Sequence, residues 1–112
     1  MMSGMALELD VQAVAKLRQE KADFVLLDVR EQSEYETALI EGSLHLPMSE
    51  LRQRINELDP FREQHVIVHC HHGMRSLQVA EALVQYGFTK VQSMSGGIDD
   101  WSLQIDTSVP RY

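Results

Sequence analysis

The stretch His65-Val66-Ile67-Val68-His69-Cys70-His71-His72-Gly73-Met74-Arg75-Ser76 changes its pattern at Cys70. Before that point, the unbroken apolar run Val66-Ile67-Val68 has the β-branched character of a strand buried on both faces. After it, a glycine-containing loop leads into a segment whose Leu77, Ala80 and Leu83 or Val84 recur at helical spacing. A strand over His65 to Cys70 and a helix over Ser76 to Tyr86, stopped by Gly87, are therefore expected. A strand that turns through a short loop into a helix aims unpaired backbone N–H groups, and the positive end of the helix dipole, at one point. Cys70, the chain's one cysteine, stands there with Arg75 nearby, and such a point favours the thiolate, the nucleophilic form. Nucleophilic chemistry at Cys70 is the expectation that follows.

The same alternation extends outward from this centre. Asp10 can cap a helix over Val11 to Lys21, with Val11, Val14 and Leu17 on one face. Phe24 to Val29 follows as a continuous apolar strand. A helix from about Glu31 to Leu39, a short strand over Ser43 to Leu46 ended by Pro47, and a helix from Ser49 to Leu58 closed by Pro60 come next. Beyond the cysteine segment, Val91 to Met94 is a strand and Gly97 to Leu103 the last helix. Strands alternating with helices through short connections predict an α/β domain with a parallel sheet covered on both faces. Ligands bind such a sheet at the carboxyl ends of its strands, where Cys70 lies.

The bulk composition narrows the class of function. A chain of 112 residues accommodates one domain, expected over 1–112 with a core of about 7–103. Its 44% hydrophobic and 24% charged content is that of a globular protein. A net charge of -7 repels nucleic-acid backbones and anionic membrane surfaces, so neither is an expected partner. An anionic substrate must then rely on a local patch, which the Cys70 loop and Arg75 supply. A single cysteine without a Cys-x-x-Cys pair forms no internal disulfide or dithiol couple, which fits a reducing compartment. The opening Met1 to Asp10 lacks a basic, then apolar, leader pattern, and a cytoplasmic location is expected.

Three segments together resemble the rhodanese (sulfurtransferase) family, over about Leu7 to Trp101. Asp28-Val29-Arg30 with Glu34-Tyr35 and Pro47 is similar to its N-terminal signature. Cys70 to Ser76 resembles its active-site loop, and Gly96-Gly97-Ile98-Asp99-Asp100-Trp101 its closing segment. One departure is visible: Ala38-Leu39-Ile40-Glu41-Gly42-Ser43 stands where the family usually has Gly-His-Ile before a glycine and a small residue. The resemblance implies a five-stranded parallel sheet, a cytosolic single-domain form and a cysteine persulfide intermediate without a cofactor. It further implies Cys70 as the nucleophile and His71, His72, Gly73, Met74, Arg75 and Ser76 as the residues holding substrate. Partners would be a small sulfur donor such as thiosulfate and a thiophilic acceptor such as cyanide or a thiol, or a persulfide-carrying or sulfur-accepting protein.

Two other classes share this architecture. A cysteine phosphatase or arsenate reductase places five residues between Cys and Arg, whereas here there are four, His71 to Met74, a smaller ring better suited to one sulfur than to a tetrahedral oxyanion. A catalytically silent rhodanese-like binding module usually lacks the cysteine, which this chain keeps. His69, His71 and His72 raise the question of a metal, but consecutive residues point apart and no spaced ligand pair accompanies them, so no metal is expected. His71 and His72 are expected at the pocket mouth, and His69 towards the core or sheet edge. His45 and His65 read as surface or strand residues. Asp28 and Arg30 are expected as a structural ion pair, Trp101 and Ile98 as core packing, and Glu31, Glu34, Glu36 and Glu41 as a solvated acidic face.

Overall fold

A computed structural model gives the structure of the protein and describes residues 6–112. Residues 1–5, which belong to the domain expected over 1–112, lie outside the described residues. The elements run β1 (Glu8–Leu9), α1 (Val11–Gln19), β2 (Val25–Asp28), α2 (Gln32–Thr37), β3 (Leu44–His45), α3 (Leu51–Arg54), β4 (His65–His69), α4 (Met74–Gln85), β5 (Lys90–Met94) and α5 (Gly97–Gln104). The five strands form one sheet in the order β1-β5-β4-β2-β3, every pair parallel. β4 therefore lies near the middle, with β2 and β5 on its flanks, and Cys70 leaves the sheet from its most protected position.

Alternation along the strands divides the core in two. Leu27, Val66, Val68, Cys70 and Val91 pack with Val79, Ala80 and Leu83 of α4 and with Leu51, Ile55 and Leu58 on one face. Leu26, Ile67 and Met94 pack with Val11 and Val14 of α1 and with Ile98 and Trp101 of α5 on the other. The continuous apolar runs of β2 and β4 are required because both faces of these strands are covered. Asp10 caps α1 as expected, its carboxylate accepting the Ala13 N–H at 2.9 Å.

The helix expected from Ser49 to Leu58 is broken. Met48–Glu50 is a 3-10 turn, α3 spans only four residues, and Ile55–Phe61 returns to 3-10 geometry with Pro60 inside it rather than closing it. A proline ring at position 60 would collide with the Asn56 carbonyl of a continuing α-helix, and the 3-10 path avoids that contact. β1 was not expected from its residues: two residues on a sheet edge carry no periodicity.

Candidate active site

Cys70 is the first residue past β4 and is 1% exposed. The chain then curls back beneath its own sulfur. Gly73 N–H donates to Sγ at 3.1 Å and Ser76 N–H at 3.3 Å, while the thiol donates to Ser76 Oγ at 3.4 Å. The curl needs Gly73 at φ +110°, and a Cβ there would press on Gly96 N at 3.2 Å. Ser76 is buried and hydrogen-bonded to Ser93 Oγ at 2.7 Å, so the hydroxyl facing the sulfur is itself held from β5. α4 starts at Met74, earlier than expected, and among the described residues the N–H groups of Met74 and Arg75 meet no protein acceptor. These donors sit at the positive end of a twelve-residue helix, the environment that attracts an anionic group.

The loop is anchored from α5. Ile98 N–H donates to the Cys70 carbonyl at 2.9 Å and Asp99 N–H to that of His71 at 3.1 Å. Gly97, at φ +61°, makes this approach possible, since a Cβ would lie 2.5 Å from the Cys70 carbonyl oxygen. The resemblance flagged the Gly96-Gly97 segment, but only the fold reveals what it does: α5 turns its first N–H groups onto the carbonyls of the loop.

The other loop residues divide sharply in orientation. His71 stacks on His72 (centroids 3.9 Å apart) and on Tyr112 (4.0 Å), while Met74 is 74% exposed. His72 Nε2 lies 3.9 Å from an Asp99 carboxylate oxygen. Spacing along the chain offers no third ligand beside these histidines, but the fold supplies one: ligand atoms of His71, His72 and Asp99 lie within 4.8 Å of one another. A divalent ion would have to compete there with Arg111, whose Nε donates to Asp99 at 2.9 Å. Burial and the neighbouring His72 push the His71 pKa down.

Glu34 is not part of a solvated face. Its carboxylate takes two N–H groups of Arg75, at 2.7 and 2.9 Å, and one from the Glu31 backbone at 3.1 Å, the latter half of a capping box that starts α2. The Arg75 guanidinium holds Glu34 down to about pKa 2. Arg75 thus faces a carboxylate of its own chain at the loop mouth, and any anion binding there would have to compete for it. Glu31 also departs from the expectation, accepting the Ser49 hydroxyl at 2.6 Å, whereas Glu36 and Glu41 are exposed.

Beneath the site, Asp28 and Arg30 form the structural ion pair, both fully buried, with Arg30 Nη2 2.7 Å from Asp28 Oδ2. Arg30 also donates to the carbonyls of Glu34 at 3.1 Å and Ala38 at 2.6 Å, tying β2 to α2. Burial works against the Asp28 charge, but the hydrogen bonds from Arg30 outweigh it and hold its pKa below the usual range. His45 Nε2–H donates to the Arg30 carbonyl at 2.7 Å, and His65 pairs with Gln92 across the sheet at 2.9 Å.

His69 is the one buried side chain whose ring nitrogens have no hydrogen-bond partner among the described residues. Burial pushes its pKa down to about 4. Its Nε2 lies 3.8 Å from Asp28, but a ring kept neutral by burial makes no ion pair there at neutral pH. The consequence for stability has a definite sign. Between the unfolded value near 6.5 and about 4, the unfolded chain binds a proton that the folded one refuses, so stability is full above pH 6.5 and declines as pH falls towards 4. We expect this residue to remove about 3 kcal/mol over that interval. Urea melts of the parent and of His69→Phe from pH 7 to 4 check this, and equal slopes in both proteins would refute it.

Comparison with known proteins places this geometry. The model of the rhodanese-like domain family matches residues 11–104. A thiosulfate sulfurtransferase of Coxiella burnetii is 40% identical over 89 residues, covering 80% of this chain and 81% of that protein. A sulfurtransferase of Allochromatium vinosum is 30% identical over 95 residues, covering 85% and 87%. The crystal structure of a thiosulfate sulfurtransferase from Pseudomonas aeruginosa superposes with a TM-score of 0.75 at 33% identity, covering 86% of this chain but spanning only 18% of that longer one. The chain belongs to the rhodanese family. Among the described residues, no helix is long and apolar enough to cross a membrane.

Proposed function

We propose that the protein is a sulfurtransferase that carries a sulfane sulfur on Cys70, taking it from thiosulfate or a persulfide and passing it to cyanide or a thiol. The observation that supports this most is the pair of backbone N–H groups, from Gly73 and Ser76, converging on one buried sulfur. In the first half-reaction the Cys70 thiolate attacks the outer sulfur of thiosulfate. A Cys–S bond forms, the bond to the sulfonate sulfur breaks, and sulfite leaves with its electron pair. In the second, the acceptor attacks the terminal sulfur, the S–S bond breaks, and the thiolate is restored. The terminal sulfur is anionic between the two steps, and the free N–H groups of Met74 and Arg75 are the donors available to it. Arg75 contributes positive charge at the mouth, offset by Glu34 until a donor displaces that carboxylate. His71, His72, Gly73 and Ser76 complete the pocket wall.

The names of relatives support sulfurtransferase chemistry at the level of the family. The phosphatase alternative is disfavoured by the four-residue ring between Cys70 and Arg75. The test runs thiocyanate formation from thiosulfate and cyanide beside aryl phosphate hydrolysis on one sample. Thiocyanate without phosphate release is expected, and the reverse would overturn the assignment.

A further inference from the structure

Residues 106–112 return across the end of the sheet that carries the site, beyond the 11–104 span matched by the family model. The segment is fixed at several points. Val109 is buried, with its carbonyl accepting the Ser102 hydroxyl, and Arg111 pairs with Asp99. Tyr112 then lays its ring on His71, with planes 10° apart. Its hydroxyl accepts from Arg30 Nη1 at 3.0 Å and lies 2.9 Å from Glu34 Oε2. Arg30 can only donate and the Glu34 carboxylate can only accept, so the one phenolic proton goes to Glu34. That same Oε2 accepts from Arg75 Nη2 at 2.9 Å. One phenol thus connects the residue after the nucleophile to the carboxylate that occupies the loop's arginine.

We propose that Tyr112 is a specificity-determining residue of the Cys70 site: by covering His71 and holding Glu34 on Arg75, it makes the mouth discriminate against anionic reagents in favour of neutral ones. An anion that engages Arg75 must displace Glu34, and Glu34 can swing away only by giving up the Tyr112 hydroxyl as well. The discrimination deepens the sulfur-transfer reading, in which thiosulfate and persulfides are anions that must displace Glu34 to engage Arg75, and it rests on that reading for its biological meaning. The chemistry of selection does not depend on it.

Alkylation of Cys70 tests this without requiring turnover. Iodoacetate and iodoacetamide share a leaving group and differ in charge, so the ratio of their rates reports access of an anion alone. In Tyr112→Phe the ring stays on His71 while the hydroxyl is lost. The anion-to-neutral rate ratio should rise about three- to tenfold, as for loss of a hydrogen bond to a charged group that is partly exposed to solvent. In Tyr112→Ala both reagents should react faster. In parallel, thiosulfate KM should fall in Tyr112→Phe with kcat little changed, a split that mere loosening of the fold would not produce. An unchanged rate ratio in Tyr112→Phe overturns the proposal, whether or not Tyr112→Ala folds. A raised ratio in a protein that forms no persulfide would leave the gate standing and remove the sulfur-transfer reading.

Discussion

Cys70→Ser should abolish sulfur transfer while leaving the fold intact. Serine is smaller by little and preserves a polar atom facing Gly73 N–H and Ser76 N–H, so the loop keeps its hydrogen bonds. What is lost is a nucleophile able to form and release a bond to sulfur. Among the described residues, the side chain at position 70 meets only the Gly73 and Ser76 N–H groups and the Ser76 hydroxyl, none of which is a general base for a serine, and the nearby His71 is stacked on His72 and Tyr112. Activity should fall by on the order of a thousandfold or more, to the rate of the uncatalysed reaction. Thiocyanate assays with thermal melts on the same preparation check both halves, and residual turnover within tenfold of the parent would exclude Cys70 as the carrier.

The second large effect concerns stability. Arg30→Ala removes the partner of a fully buried carboxylate and also unties the Glu34 and Ala38 carbonyls. Stranding a buried charge costs about 3–5 kcal/mol, a substantial part of the roughly 5–15 kcal/mol that holds a domain together. Asp28 would respond by taking up a proton, so the loss should be smaller in acid than at neutral pH. The double variant Asp28→Asn with Arg30→Met, which removes both charges, should be less damaging than Arg30→Ala alone. Chemical denaturation of the three proteins decides this. A cost below about 1 kcal/mol for Arg30→Ala would mean that the pair is not the structural tie its geometry indicates.

The parts of this protein that were legible in the chain are those encoded by neighbours. Val66-Ile67-Val68 ahead of Cys70, and glycine at 73 behind it, specify a buried strand and a tight loop through local pattern alone, and both occur where expected. The Asp28–Arg30 pair is separated by two positions and was equally accessible. Features that depend on distant partners were not. Glu34 and Arg75 are 41 residues apart, and nothing distinguishes Glu34 from the other glutamates at positions 31, 36 and 41 as the one that turns inward to an arginine. Tyr112 and Glu34 are 78 apart. The α5 anchor was visible only as a glycine pair whose purpose, a close approach to the carbonyls of Cys70 and His71, exists only once the sheet has formed. The broken helix around α3 shows a different limit: Leu51, Ile55 and Leu58 have helical spacing and do face the core, yet the backbone that presents them changes pitch around Pro60.

The central claim is that one sulfur atom resides on Cys70 between two half-reactions. Intact-mass measurement of the protein after incubation with thiosulfate, followed by brief cyanide treatment, tests it directly. The predicted result is a gain of the mass of one sulfur atom, mapped to the peptide containing Cys70, absent from Cys70→Ser and removed by cyanide. A protein that turns over thiosulfate without ever gaining that mass, or that gains it elsewhere in the chain, would contradict the account.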